Sequence, residues 1–118
     1  MVEDLSNQQL ALLAAEGVPL IDIRRPLEWD DTGVIDGSHR LAFFDNRNNY
    51  DLDLWLEEFD KVADRRKPFI LICGHGVRTG NLGHYLDGRP DFGRVLHLQH
   101  GIAGWIEAGR PVIEIPGD

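Results

Sequence analysis

The chain has 118 residues, the size of one domain able to bury a core, and its 42% apolar and 27% charged residues are ordinary for a globular protein. A formal net charge of −8 argues against a nucleic-acid binder, which needs a basic footprint, and the single cysteine excludes an internal disulfide. The opening Met1-Val2-Glu3-Asp4-Leu5-Ser6 has no secretory pattern and no apolar run is long enough to span a bilayer, so a cytoplasmic protein of one domain, residues 1–118, with no membrane partner is expected.

In chain order, Ser6 with Gln9 three residues on fits a capping box, and Leu10, Leu13 and Ala14 form a helical stripe that ends at Gly17. Pro19 to Ile23 reads as a buried strand, followed by charged, turn-rich sequence through Gly37. The apolar run Leu41 to Phe44 is expected to be a second strand. Asp51 to Arg66 is the clearest helix, because Leu52, Trp55, Leu56, Phe59 and Val62 keep to one face. Its acidic start and basic end also suit the helix dipole. Phe69 to Ile72 is a strand, then comes a glycine-rich loop, then a helix carrying Leu82, Tyr85 and Leu86. Val95 to Leu98 is a further strand, a short helix surrounds Trp105, and Val112 to Ile115 closes the sheet or lies along its edge. Strands that are continuous apolar runs, separated by helices, define an α/β fold: a mostly parallel sheet with helices on both faces.

The octapeptide Cys73-Gly74-His75-Gly76-Val77-Arg78-Thr79-Gly80 carries the chemistry. A lone cysteine at a strand end is most often a small buried hydrophobe. A polar, glycine-punctuated loop is a poor way to bury an inert thiol, however. Strand, loop and helix start together place a ring of backbone N–H groups and the helix dipole around the sulfur, a setting that binds anions and favours a thiolate nucleophile. The C-terminal ends of parallel strands are where such sheets bind ligands.

Four segments in order resemble the rhodanese family of single-domain sulfurtransferases. They are Leu20-Ile21-Asp22-Ile23-Arg24 with Glu28-Trp29, the partly kept Gly33-Val34-Ile35-Asp36-Gly37-Ser38, the loop Cys73 to Thr79, and Gly101-Ile102-Ala103-Gly104-Trp105 with Gly109-Arg110-Pro111-Val112. His100 stands where the family pattern has a glycine, and Val34 and Asp36 also depart from it. The resemblance implies the rhodanese-like fold and a reaction in which Cys73 takes the sulfane sulfur of thiosulfate or a related small anion as a persulfide. That sulfur then passes to cyanide, a thiol or a sulfur-carrier protein, with no metal or organic cofactor. It implies substrate binding by Gly74, His75, Gly76, Val77, Arg78 and Thr79, and structural support from Asp22, Arg24 and Glu28 as an ion-pair cluster beneath the loop.

Arg78 offers a planar fork that matches the oxygen edge of a sulfonate-like donor. His75 reads equally as an exposed polar residue or as a cation beside the sulfur. His97 and His100 form an H-x-x-H pair, but positions three apart on a strand face opposite ways and no acidic or cysteine partner is near in sequence, so no metal site is expected there. Trp29, Trp55 and Trp105 are expected to be core and cover residues. Two rivals stay open. One is the phosphatase or arsenate-reductase chemistry of relatives sharing this fold, whose loop has five residues between cysteine and arginine where this chain has four, Gly74 to Val77. The other is a non-catalytic module that carries sulfur or docks partners.

Overall fold

The computed structural model describes residues 2–115. Its core is a parallel sheet of β1 (Glu3–Leu5), β2 (Leu20–Asp22), β3 (His39–Arg40), β4 (Phe69–Ile72) and β5 (Val95–Leu98), in the order β1-β5-β4-β2-β3. The helices are α1 (Asn7–Ala15), α2 (Pro26–Thr32), α3 (Leu52–Val62), α4 (Val77–Asp87) and α5 (Gly101–Glu107).

The central strand β4 is apolar throughout because both of its faces are covered. Phe69, Leu71 and Cys73 enter one core with Trp55, Leu56 and Phe59 of α3 and Leu82 and Leu86 of α4. Ile70 and Ile72 enter the other with Leu10 of α1 and Ile102 and Trp105 of α5. The alternation fixes the register: a one-residue slip would move Cys73 to the α5 face. The first cap is as the sequence implies, and a second comes from the acidic start of α3. Ser6 and Gln9 close a reciprocal capping box, and the Asp51 carboxylate accepts from the Leu54 N–H.

Several elements differ from expectation. Residues 3–5 are an edge strand, β1, pairing with β5 so that Asp4 lies beside His97; three residues are too few to show a period. The charged stretch before Gly37 contains α2, started by Pro26 at its first turn but burying none of its side chains, so it has no apolar stripe to read. Leu41 to Phe44 is not a strand. The sheet edge is His39–Arg40, and the apolar run continues past it as irregular chain, its Leu41 and Phe43 N–H groups donating to the carbonyls of Asp22 and Ile23. Leu41 and Phe43 pack on the α3 core, which is why the run is apolar. Helix α3 stops at Val62, leaving Arg65 and Arg66 beyond it. Val112 to Ile115 forms no strand; Ile113 alone makes an antiparallel bridge with Val34.

Beneath the sheet's C-terminal edge, Arg24 and Asp22 are a buried ion pair, Nη2 to Oδ2 2.8 Å, with exposures of 1% and 0%. The remaining Arg24 donors reach Thr32 Oγ1 at 2.7 Å and the Gly33 carbonyl at 2.8 Å, so one guanidinium fastens the end of β2 to the end of α2. Removing one partner of such a pair costs about 3–5 kcal/mol because the other charge is left buried and unpaired.

Candidate active site

Cys73 stands one residue past β4, and the chain turns through Gly74 and His75 to Gly76, which caps α4. Gly76 has φ 90°, and a Cβ there would sit 1.9 Å from the Gln99 carbonyl oxygen, so this position admits no side chain. Gly101 (φ 65°) presses on the loop from the other side, its Cβ position 2.3 Å from the Gly74 carbonyl oxygen. Next to it, the N–H groups of Ile102 and Ala103 donate to the carbonyls of Cys73 (2.9 Å) and Gly74 (3.0 Å). A trans peptide keeps its C=O and N–H on opposite sides, so these bonds turn the N–H groups of Gly74 and His75 away from α5.

The sulfur sits at the base of this turn. Cys73 is 1% exposed, its Sγ accepts from the Gly76 N–H at 3.2 Å, and it lies 3.4 Å from Thr79 Oγ1 in the first turn of α4. The first N–H groups of a helix have no partner within it, and with the dipole they make this end electropositive. The arrangement fits a sulfur anion held from one side by backbone.

The residues expected to bind substrate are brought together unevenly. Gly74 and Gly76 are buried in the turn, Thr79 is fully buried beside Sγ, and His75 and Val77 point to solvent. Arg78 is not a free cation. Its Nη1 and Nη2 donate to Glu28 Oε1 and Oε2, both at 2.8 Å. Burial works to raise the Glu28 carboxyl, but the hydrogen bonds and charge of Arg78, together with the Arg24 charge and a backbone bond from Arg25, hold Glu28 below the ordinary glutamate value. The same bonds raise Arg78 above its usual value, against burial. The expected cluster of Asp22, Arg24 and Glu28 is therefore two clamps: Asp22 with Arg24 under the sheet, and Glu28 with Arg78 tying α2 to the loop helix. Beside Arg78 lies a hollow of about 480 Å³ walled by Ile23, Phe43, Phe44, Tyr50 and Tyr85, which Cys73 does not line.

The residue whose partners sequence reasoning missed is His97. It lies apart from His100, as their spacing implies, and His100 is exposed at the start of α5. His97 is buried, with Nε2 2.7 Å from Asp4 Oδ1 and Nδ1 2.8 Å from Thr79 Oγ1. The acidic partner judged missing is thus 93 residues away in sequence, on the unforeseen β1. A histidine interrupting an otherwise apolar strand was the available signal, since a buried imidazole needs partners for both nitrogens.

A parallel α/β sheet with a thiol cradled at the end of its central strand defines the class. The Rhodanese-like domain family profile matches residues 6–108, and the chain belongs to that family. It is 31% identical over 102 residues to the thiosulfate sulfurtransferase GlpE of Shewanella oneidensis, covering 86% of this chain and 89% of the relative. It is 29% identical over 119 residues to a sulfurtransferase of Allochromatium vinosum, covering 99% and 100% of the two. Its fold is similar to the solution structure of the polysulfide-sulfur transferase homodimer of Wolinella succinogenes (TM-score 0.73, 22% identity, 97% of this chain and 80% of that one).

Proposed function

We propose that this rhodanese-like domain is a thiosulfate sulfurtransferase that carries the transferred sulfur as a persulfide on Cys73. The observation that carries the reading is the seat of Cys73 Sγ, held by the Gly76 N–H at the N-terminal end of α4. The names of its relatives support the same activity. In the first half-reaction the Cys73 thiolate attacks the outer sulfur of thiosulfate. The new Sγ–S bond forms as the donor's S–S bond breaks, and sulfite leaves with the electron pair. The persulfide's terminal sulfur carries negative charge, which the N–H groups between Gly74 and Thr79 and the α4 dipole stabilise. In the second half-reaction cyanide or a thiol, free or on a carrier protein, attacks that terminal sulfur and releases the Cys73 thiolate. Two half-reactions through one covalent intermediate give ping-pong kinetics.

Arg78, with Glu28 behind it, orients the oxygens of the donor and then of leaving sulfite; His75 and Val77 meet the acceptor at the rim. The chain acts as one domain in the cytoplasm, and no helix among the described residues is long and apolar enough to cross a membrane. Mass spectrometry after exposure to thiosulfate tests the reading. A gain of one sulfur on Cys73, absent in Cys73→Ser and removed by cyanide as thiocyanate, is the expected result. An unmodified Cys73 overturns it.

A further inference from the structure

Cys73, Thr79, His97 and Asp4 form an unbroken series of contacts from the buried sulfur to the surface: Sγ to Oγ1 3.4 Å, Oγ1 to Nδ1 2.8 Å and Nε2 to Oδ1 2.7 Å. The three inner residues are 1%, 0% and 5% exposed, and only Asp4, at 57% of its side chain, meets water. Each end of the series constrains the next. An ionised carboxylate only accepts, so His97 Nε2–H donates to Asp4. In the neutral ring Nδ1 is then an acceptor, and the Thr79 hydroxyl must donate to it. A hydroxyl has one hydrogen, and the 2.8 Å contact to the ring takes it in preference to the Gly76 carbonyl at 3.3 Å. Thr79 therefore presents a lone pair to Cys73, a partner that suits S–H and opposes a thiolate.

A second proton on His97 leaves the Nε2–H bond to Asp4 in place and reverses the two inner bonds. Nδ1–H donates to Thr79 Oγ1, and the hydroxyl hydrogen is freed to donate to a sulfur anion. We infer that Asp4, His97 and Thr79 are a proton relay that takes the thiol proton of Cys73 onto His97 through the Thr79 hydroxyl, so that thiolate and imidazolium form together. The inference rests on the sulfurtransferase reading for its purpose, though not for its geometry. Two hops complete the transfer: Sγ–H to Oγ1, and Oγ1–H to Nδ1. No atom is gained or lost. The proton stays on His97 while the sulfur site is anionic, as thiolate and then as persulfide, and returns through Thr79 when S–H is re-formed.

Thr79 touches the reacting sulfur. His97 and Asp4 act through it and are positioning residues. The surroundings favour the assignment. From β1 the facing charged group is Asp4, the β4 neighbour in register is the apolar Leu71, and from α4 the ring meets Thr79 and the side of Gly80. The nearby Glu3 and Arg94 are closed on one another, at 2.7 and 2.8 Å.

The test is the rate of Cys73 alkylation by iodoacetamide as a function of pH, which reads the thiolate without requiring turnover. In the intact chain the rate should show an inflection that depends on His97. In His97→Gln that inflection should vanish and the rate at neutral pH fall about tenfold or more. Thr79→Val should behave likewise, while Thr79→Ser, which keeps the hydroxyl, should restore the profile. Asp4→Asn alters only the exposed end and should move the inflection to lower pH without unfolding the chain, which keeps the test decisive if His97→Gln does not fold. Profiles unchanged in both Asp4→Asn and His97→Gln overturn the relay. Sulfur uptake from thiosulfate, measured in parallel on the intact chain, separates the two readings. Uptake with unmoved profiles removes the relay and leaves the sulfurtransferase. Moved profiles with no uptake leave the relay and remove the sulfurtransferase.

Discussion

The guanidinium of Arg78 meets the carboxylate of Glu28 edge to edge, Nη1 to Oε1 and Nη2 to Oε2, each at 2.8 Å. The loop arginine is thus held in place by a counter-charge from α2, and in the proposed reaction its remaining N–H groups would meet the donor from a fixed position. Removing it has two effects: a charge-assisted contact is lost, and an uncompensated carboxylate is left beside the anion site. Arg78→Ala should cost on the order of 1.5–3 kcal/mol in kcat/KM for thiosulfate. Adding Glu28→Gln to Arg78→Ala should recover part of that loss, because the repelling charge is gone. Steady-state kinetics of the two variants checks this. A double variant no better than Arg78→Ala alone would mean that the Glu28 charge does not reach the donor.

The same pair gives a pH signature in stability. The folded Glu28 carboxyl lies below its ordinary value of 4.5, so the unfolded chain takes up the proton first as pH falls. The pair's contribution is fully present above pH 4.5 and is lost as pH drops through the lower folded value. The difference in urea midpoint between the intact chain and Glu28→Gln should therefore be flat above that pH and shrink below it. A difference that already shrinks above pH 4.5 would contradict the assignment.

What the sequence made legible follows from how local each signal is. Phe69 to Ile72 and Val95 to Leu98 stand as strands at those bounds because a strand buried on both faces is written as one apolar run. The octapeptide after β4 is equally local, so the seat of Cys73 could be placed without coordinates. Edge strands β1 and β3, of three and two residues, carry no period to detect. Leu41 and Phe43 mislead because irregular chain can also bury apolar side chains. The partners of His97 and Arg78 lie 93 and 50 residues away, and only the sheet order β1-β5-β4-β2-β3 brings them to the loop. Charge type is visible in a sequence; which charges pair is a product of topology.

Gly101→Ala should impair the site from outside the loop. A Cβ at this residue would lie 2.3 Å from the Gly74 carbonyl oxygen and 2.6 Å from that of Cys73, the backbone that sets the cradle. The residue also has φ 65°, which disfavours a side chain. Relief requires the α5 start to move off the loop, weakening the bonds from Ile102 and Ala103 that orient its peptides. We expect a loss of about 1–3 kcal/mol in stability and a fall in kcat that exceeds any rise in KM. Urea unfolding and sulfurtransfer assays together read this. An intact kcat in a destabilised protein would show that α5 supports the fold and not the cradle.

Loop length should decide between sulfur and phosphate. Between Cys73 and Arg78 lie four residues, Gly74 to Val77, and the turn is pinned by Gly76 against Gln99 and by Gly101 against Gly74. The ring is small enough that the Gly76 N–H reaches Sγ itself at 3.2 Å, and its focus suits one sulfur atom bonded to that sulfur. A tetrahedral oxyanion needs donors that converge farther out, at ~3 Å from each of several oxygens. The intact chain should therefore show no appreciable hydrolysis of a small aryl phosphate. A glycine inserted after Gly76 should weaken sulfur transfer, because it moves the focus outward and loosens the contact with Gln99. Aryl-phosphate turnover by the intact chain that disappears in Cys73→Ser would instead favour a phosphatase. Phosphate turnover gained only on insertion would place the choice of substrate in the spacing between Cys73 and Arg78.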